Sequence, residues 1–283
     1  MIGVYAAMAL KLMYITNRPE IAQIAESAGV DRIFVDMEYI GKSERQGGMD
    51  TVQSHHTVED VATVKSSITT ADLLVRINPL HEETEMYCSS KEEIDDVIAN
   101  GADIIMLPYF KTADEVRNFV NIVDGRVKTL PLIETVEAVE CIDEILEIDG
   151  IDEIFIGLND LSIGYQKKFM FELLSDGTVE YLCHKFRKKG IPYGFGGIAS
   201  LGKGMLPSEY VIKEHYRLGS TCSILSRSFC NIDKINHFGV ISSTFVNGVR
   251  DIRELEKECE RYMNYFTENK KEVIRLVKKV CEG

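Results

Sequence analysis

Two carboxylates follow runs of apolar residues, at points where a strand buried on both faces would end. Glu134 comes directly after the run at 128–133, and Asp160 follows the run at 153–157. A carboxylate without a partner is costly to bury, and a hard divalent cation removes that cost. Mg²⁺ commonly takes one or two protein carboxylates and completes its shell with water and substrate oxygens. The pair therefore predicts a site for Mg²⁺ or Mn²⁺, although each residue could instead cap the helix or turn beside it.

A third candidate is Arg76, which stands in the apolar run LLVRI at 73–77. A guanidinium offers a bidentate grip on a substrate carboxylate or an enolate oxygen. A salt bridge to Asp36 or Glu38, at the end of the preceding run, accounts for Arg76 equally well. Both interpretations stay open on spacing alone.

The elements that must position these residues are short apolar runs, typical of parallel strands buried on both faces, and amphipathic helices between them. The predicted strands lie at 2–8, 32–37, 73–77, 103–108, 128–133, 153–157, 192–198 and 222–225. The predicted helices lie at 19–28, 58–67, 92–100, 113–122, 136–146 and 207–218. Eight such alternations favour a closed (β/α)₈ TIM barrel. An open doubly wound sheet would need a G-x-G-x-x-G turn after its first strand, and none is present there.

In such a barrel the active site lies at the carboxyl ends of the strands. Glu38 and Asn159, which follow strands, are therefore expected to contact substrate together with Arg76. The segment GGIASLGKG at 196–204 follows the seventh strand, and loops after strands seven and eight often bind phosphate. Gly197 and Lys203 would suit an anionic group there, while a flexible loop without a ligand is the alternative.

Two segments of the sequence are not required by a minimal (β/α)₈ barrel. Residues 39–56 are polar and long for a connection, as lids and binding loops often are. Residues 249–283 are charged and predicted to be helical, with apolar residues at roughly heptad spacing. We therefore divide the chain into a catalytic barrel at 1–248 and a C-terminal helical extension at 249–283, which packs on a neighbouring subunit of a homo-oligomer or on its own barrel.

Composition narrows the function. The formal net charge of −13 argues against a nucleic-acid partner. Seven dispersed cysteines without a C-x-x-C pair indicate free thiols in a reducing compartment. The apolar N-terminus lacks a basic region and is interrupted by Lys11, and no apolar stretch of about twenty residues follows. We therefore expect a cytoplasmic protein without a membrane span.

Several of these segments, in this order between residues 20 and 230, resemble blocks of the HpcH/HpaI aldolase and citrate lyase family, the metal-dependent pyruvate aldolases. The segments are AGVDRIFVDMEY, LLVRINP, NGADIIMLPYFKTADEVRNFV and, most specific, LPLIETVEAVECIDEILEIDGIDEIFIGLNDLSIGYQ. The resemblance implies a (β/α)₈ barrel with a metal on Glu134 and Asp160. It also implies that Arg76 binds a 2-oxo acid or its enolate, and that the last helix enters oligomer contacts.

The sequence departs from the family where the proton steps are expected. Members commonly carry a histidine after D-x-E on the second strand, paired with an aspartate on a later helix. Tyr39 stands at the first position and Ala99 at the second. The long loop brings His55 and His56 back before the next helix, and a neutral histidine suits acid/base work near pH 7. Tyr39, His55, His56 or a metal-bound water are thus candidate bases, while the two histidines are equally compatible with a surface loop.

The predicted activity is a metal-dependent carbon–carbon lyase that forms or cleaves a bond beside a 2-oxo acid, with an aldehyde-type acceptor. One alternative is a lyase acting on an acyl-CoA thioester, as citrate or malyl-CoA lyases do. DMEY lacks the second aspartate of the D-L-E-D block typical of those enzymes. A non-catalytic barrel that retains the metal site is the other alternative.

Overall fold

The structure, a computed structural model, describes residues 9–42, 54–235 and 237–283. Eight parallel strands are hydrogen bonded in chain order, and the first pairs with the last to close a barrel. This confirms the predicted TIM barrel. The strands are β1 (Lys11–Ile15), β2 (Arg32–Asp36), β3 (Asp72–Arg76), β4 (Ile104–Leu107), β5 (Lys128–Ile133), β6 (Ile154–Ile156), β7 (Tyr193–Ile198) and β8 (Cys222–Leu225).

Helices follow the strands and cover the barrel. Their starts obey the sequence signals: α1 begins with Pro19, and Thr112 caps α4 in a capping box with Glu115. The helices are α1 (Pro19–Ser27), α2 (Val58–Ser67), α3 (Ser90–Ala99), α4 (Ala113–Val123), α5 (Val136–Glu140), α6 (Ile142–Ile145), α7 (Leu158–Gly164), α8 (Glu172–Ser175), α9 (Thr178–Lys189), α10 (Ser208–Leu218), α11 (Phe238–Arg261) and α12 (Phe266–Glu282).

Two predicted elements differ from the structure. The first barrel strand is β1, so its predicted position at 2–8, outside the described residues, is wrong. Lys11 does not break the apolar run but begins β1 at the base of the barrel, where its Nζ lies 3.6 Å from Glu153. The single helix predicted at 136–146 is two short helices, because Cys141 leaves helical geometry between them.

The core has two layers. Larger apolar side chains of alternate strand positions fill the barrel interior, among them Phe34, Met106 and Phe155. The other layer lies between strands and helices. At the base, fully buried Arg32 donates to both carboxylate oxygens of Glu153, at 2.8 and 2.5 Å, so that the interior is closed by a neutral pair.

The C-terminal segment packs on its own barrel. Helix α11 runs through residues 248 and 249, so the chain has no break at the predicted domain boundary. A 3₁₀ turn (Met263–Tyr265) leads into α12, whose Asn269 Nδ2 donates to Tyr210 O and Glu214 Oε1 of α10. A role of this segment in oligomer contacts remains a prediction.

All seven cysteines are free thiols, as predicted. Within the part of the chain that the structure describes, no helix combines the length and the apolar character that a membrane span requires.

Candidate active site

A cavity of about 540 Å³ opens at the carboxyl ends of the strands. It is the place where a TIM barrel assembles its active site. The structure brings many of the predicted residues together there. The lining includes Glu134, Asp160, Arg76, Asn159, Gly197 and His56.

One side of the cavity carries Glu134 and Asp160, which we call the acidic wall. Glu134 follows β5, is 3% exposed, and accepts a hydrogen bond of 2.9 Å from the main-chain N–H of Tyr109. Burial raises the pKa of Glu134 well above its ordinary range, and the negative charges of Glu38 and Asp160 raise it further. The Glu134 carboxylate is therefore a group that its surroundings disfavour in the charged form.

Gly157 makes the space that Glu134 occupies. A Cβ at Gly157 would lie 2.8 Å from both Cβ and Oε2 of Glu134, closer than real contacts allow. The absence of a side chain at this position lets the carboxylate stand beside the end of β6 and face the cavity.

The helix-capping alternative for Glu134 is wrong, because Thr135 caps α5 and accepts from the N–H of Ala138. Asp160 lies within the first turn of α7, whose N-cap is Gly157. Both carboxylates are thus presented to the cavity rather than used as caps of α5 and α7.

The acidic wall fits a hard divalent cation. It offers carboxylate oxygens, and the cost of ionising buried Glu134 is the cost that a cation would remove. Among the described residues no group of three or more histidine, cysteine, aspartate or glutamate side chains is arranged to hold a metal. Two protein carboxylates, with the other positions left to water and substrate, match the way Mg²⁺ binds in many enzymes.

The opposite side is built from Asp36, Glu38, Lys42 and Arg76, which we call the paired wall. Arg76 donates from Nε and Nη2 to the two oxygens of Asp36, at 2.8 and 2.7 Å, and its Nη1 lies 3.3 Å from Glu38. Lys42 Nζ lies 2.9 Å from Asp36 and 3.2 Å from Glu38. Both acids are nearly inaccessible to solvent, yet each carboxylate has two cations beside it.

Charge pairing reverses the effect of burial on this wall. Burial alone would raise the pKa of Asp36, but Arg76 and Lys42 outweigh it and hold that pKa well below its usual range. Burial would lower the pKa of Arg76, and the charges of Asp36 and Glu38 raise it instead. Asp36 and Arg76 are therefore both ionised, and the salt bridge foreseen as an alternative for Arg76 is present.

Lys42 is one of several charged lining residues that were not predicted from the sequence, and Arg18, Arg227 and Asp233 are others. Lys42 is 4% exposed and lines the cavity, although it stands in a polar loop whose residues 43–53 lie outside the described part. The available signal was its position four residues after Glu38, a spacing that suits an ion pair in a helical turn.

Other predicted residues do not reach the cavity lining. Tyr39 is 38% exposed and packs against Tyr87, with ring centroids 5.5 Å apart. His55 and Lys203 are exposed. Glu38 is buried, does not belong to the cavity lining, and pairs with Arg76 and Lys42.

The fold and the cavity define the class: a TIM-barrel enzyme whose candidate site combines a pair of carboxylates with a largely buried arginine. The family HpcH/HpaI aldolase/citrate lyase matches residues 11–191 of the chain. The chain belongs to this family, and it is a carbon–carbon lyase of the aldolase type.

Individual relatives agree with this assignment. A 2-keto-3-deoxy-L-rhamnonate aldolase of Escherichia coli O6:K15:H31 (strain 536) is 26% identical over 211 residues, covering 63% of this chain and 70% of the relative. A HpcH/HpaI aldolase/citrate lyase family protein of Burkholderia cenocepacia J2315 has a TM-score of 0.60 at 13% identity, covering 87% and 95%. A HpcH/HpaI aldolase of Desulfitobacterium hafniense DCB-2 has a TM-score of 0.57 at 18% identity, covering 87% and 93%. These two structures show the likeness of fold.

Proposed function

We propose that this protein is a divalent-metal-dependent aldolase that forms or cleaves a carbon–carbon bond next to a 2-oxo acid, through a pyruvate-type enolate. The observation that carries the proposal is the contrast in charge across one cavity. Glu134 is buried with its pKa raised, and a guanidinium with its charge secured stands on the other side. The carboxylate and the enolate oxygen of such an intermediate are both stabilised by positive charge. A cation bound to the acidic wall and the guanidinium of Arg76 on the other side would supply that charge.

Glu134 and Asp160 would hold the cation, Mg²⁺ or Mn²⁺. When bound there, the metal supplies Lewis-acid polarisation of the 2-oxo acid carbonyl. Asn159, adjacent to Asp160 in the lining, offers an amide to the same substrate. Gly197 on β7 leaves backbone exposed on the cavity side, which lets a planar substrate approach closely.

Arg76 would place positive charge where the enolate oxygen develops. Its side chain is 14% exposed, enough to reach the cavity while most of the guanidinium stays in a low-dielectric setting. Asp36 fixes its orientation through two hydrogen bonds, so little reorganisation is required when charge appears on the substrate. Electrostatic stabilisation of this type is commonly worth about 3 kcal/mol per donor.

The acceptor would be an aldehyde. The named activity of the E. coli relative, an aldolase of a 2-keto-3-deoxy sugar acid, supports a 2-oxo acid as the nucleophilic half. His56 lines the cavity, whereas Tyr39 and His55 lie away from its lining, so His56 is the residue we retain for contact with the acceptor half.

Proton exchange tests the proposal without knowledge of the acceptor. The protein is incubated with pyruvate and Mg²⁺ in D₂O, and loss of the methyl proton signal is followed by NMR, with a chelator control. We expect exchange that requires metal and disappears in Glu134→Gln. No exchange above the chelator control, in protein with bound metal, would contradict the proposal.

A further inference from the structure

His56 makes one hydrogen bond within the described residues, and its direction is informative. The main-chain N–H of Asp36 donates to Nδ1 of His56 over 2.9 Å. A ring nitrogen that accepts a hydrogen bond carries no proton. The neutral imidazole then has its proton on the other nitrogen, Nε2, and the ring lines the cavity.

We propose that His56 serves as a hydrogen-bond donor, through Nε2–H, to an oxygen of the acceptor half of the substrate, and that it is not the base of the proton steps. The proposal rests on the proposed aldolase function. A base would need Nε2 without a proton, which requires the proton on Nδ1, where it would meet the N–H of Asp36. That N–H belongs to the end of β2 and is fixed by the strand, so the tautomer is set by the backbone.

The charged groups around His56 come from three segments. Asp36 ends β2, Lys42 follows it, Asp60 lies in the first turn of α2, and His55 is the chain neighbour. Burial lowers the pKa of His56, and the attraction of Asp36 and Asp60 for a protonated ring does not overcome this. Asp36 and Asp60 both have other partners, since Asp36 binds Arg76 and Lys42, and Asp60 accepts from Asn17 and from the N–H of Thr57.

The position of His56 in the barrel determines which substrate oxygen its Nε2–H can reach. The strands are hydrogen bonded in chain order around the barrel. Going around it from the acidic wall on β6 and β5, one reaches Arg76 on β3 first and then the end of β2, where His56 is bound. The metal ligands and Arg76 serve the 2-oxo acid. An oxygen in reach of His56 lies on the far side of Arg76, which suits the carbonyl of an incoming aldehyde, or the hydroxyl that becomes it on cleavage.

The first test reads the tautomer directly and needs no activity. Protein labelled with ¹⁵N-histidine is studied by long-range ¹H–¹⁵N NMR near pH 7.5, and the His56 signals are assigned by their loss in His56→Ala. We expect the proton on Nε2 and an Nδ1 shift typical of an unprotonated acceptor. A proton on Nδ1, or a doubly protonated ring, would overturn the proposal.

The second test separates a donor from a base. Glutamine has a carbonyl oxygen to accept from Asp36 and an amide N–H to donate, but it cannot take up a proton. With pyruvate and glycolaldehyde as probe substrates, we expect His56→Ala to lower kcat/KM by roughly 30-fold or more and His56→Gln to recover most of that loss, with His55→Ala near wild type. General base catalysis is worth about 10²–10⁴-fold, so a fall in His56→Gln as deep as in His56→Ala would overturn the proposal. Failure of the aldolase function itself would appear separately, as wild-type protein with bound metal that exchanges no pyruvate protons.

Discussion

The two walls of the cavity bury the same type of group and treat it in opposite ways. On the paired wall, Asp36 and Glu38 have Arg76 and Lys42 within ion-pairing distance, and the pKa of Asp36 falls. On the acidic wall, Glu134 is as deeply buried and its pKa rises, because its closest charged neighbours include Glu38 and Asp160. The carboxylates on the two walls are therefore equally buried, and the walls differ in the lysine and arginine side chains that the chain places beside those carboxylates.

The difference in charge pairing indicates the role of each wall. The paired wall is neutral by itself and holds one guanidinium in a fixed orientation. The acidic wall remains costly to ionise until a cation arrives from outside. Stability is given up at Glu134, and under the proposed function a cation bound there would remove that cost.

Removing the charge of the acidic wall has the largest expected effect. Glu134→Gln keeps the size of the side chain but loses a proposed metal ligand, so metal-dependent activity should fall by roughly 10³-fold or more. Steady-state assays across a metal titration measure the loss. Glu268→Gln, an exposed acid on α12, is the matched control and should retain full activity. Activity of Glu134→Gln near wild type would contradict the role of the acidic wall.

The same variant should change stability in the opposite direction. The folded-state pKa of Glu134 is raised above its ordinary value of 4.5, so the metal-free folded protein binds more protons than the unfolded chain above that pH. The free energy of unfolding of the metal-free protein should therefore carry a loss that develops as pH rises from about 4.5, and Glu134→Gln should lack it. Urea unfolding of both proteins between pH 4.5 and 8 measures the difference. A difference that vanishes as pH rises would contradict the raised pKa.

Substitution of the paired guanidinium should have the next largest effect. Arg76→Lys keeps one positive charge but cannot donate to both oxygens of Asp36 while facing the enolate, and we expect kcat/KM to fall by roughly 10²-fold. Arg117→Lys, on the exposed face of α4, is the control. An Arg76→Lys enzyme within a few-fold of wild type would show that bidentate anchoring is unimportant.

Lys42 tests whether the paired wall must be neutral. Lys42→Met removes one of the two cations beside Asp36 and Glu38, so Arg76 compensates more of their negative charge and its electrostatic effect on the substrate weakens. We expect about a tenfold loss in kcat/KM and a loss of roughly 3 kcal/mol in the free energy of unfolding. Lys42→Arg should restore much of both. If Lys42→Met matched wild type in both measurements, Lys42 would have no part in the wall.

The smallest expected effect comes from Gly157. Gly157→Ala would place a methyl group 2.8 Å from Glu134, and the carboxylate would have to move from its position. We expect metal affinity to fall by roughly tenfold, as is common when the neighbours of metal ligands are altered. Gly239→Ala, in the first turn of α11, is the control. Unchanged affinity in Gly157→Ala would show that Glu134 has room to shift.

The barrel followed from the sequence because its signals are local. Apolar runs such as 128–133 and caps such as Thr112 act over a few residues, and they locate seven strands to within about a residue at each end. The first strand was predicted too early in the chain because a lysine within an apolar run suggests an interruption. In the structure Lys11 begins β1 at the base of the barrel, and its Nζ lies 3.6 Å from Glu153, the residue before β6.

The site was predictable only in part, for a different reason. Arg76 ends β3, Glu134 directly follows β5, and Asp160 lies in the first helical turn after β6, so the topology carries all three to one mouth of the barrel. The pairing of Lys42 with two acids and of His56 with the N–H of Asp36 depends on how a long loop returns to the barrel. Such contacts are set by tertiary structure, and no periodicity in residues 39–56 encodes them.

Binding of Mn²⁺, followed by electron paramagnetic resonance of the free ion, tests the central claim most directly. Wild-type protein should bind Mn²⁺ at one site per chain, and Glu134→Gln should bind it at least about tenfold more weakly while its circular dichroism spectrum shows that the fold is intact. Wild-type protein that binds no Mn²⁺, or a Glu134→Gln variant with unchanged affinity, would contradict the account of the acidic wall.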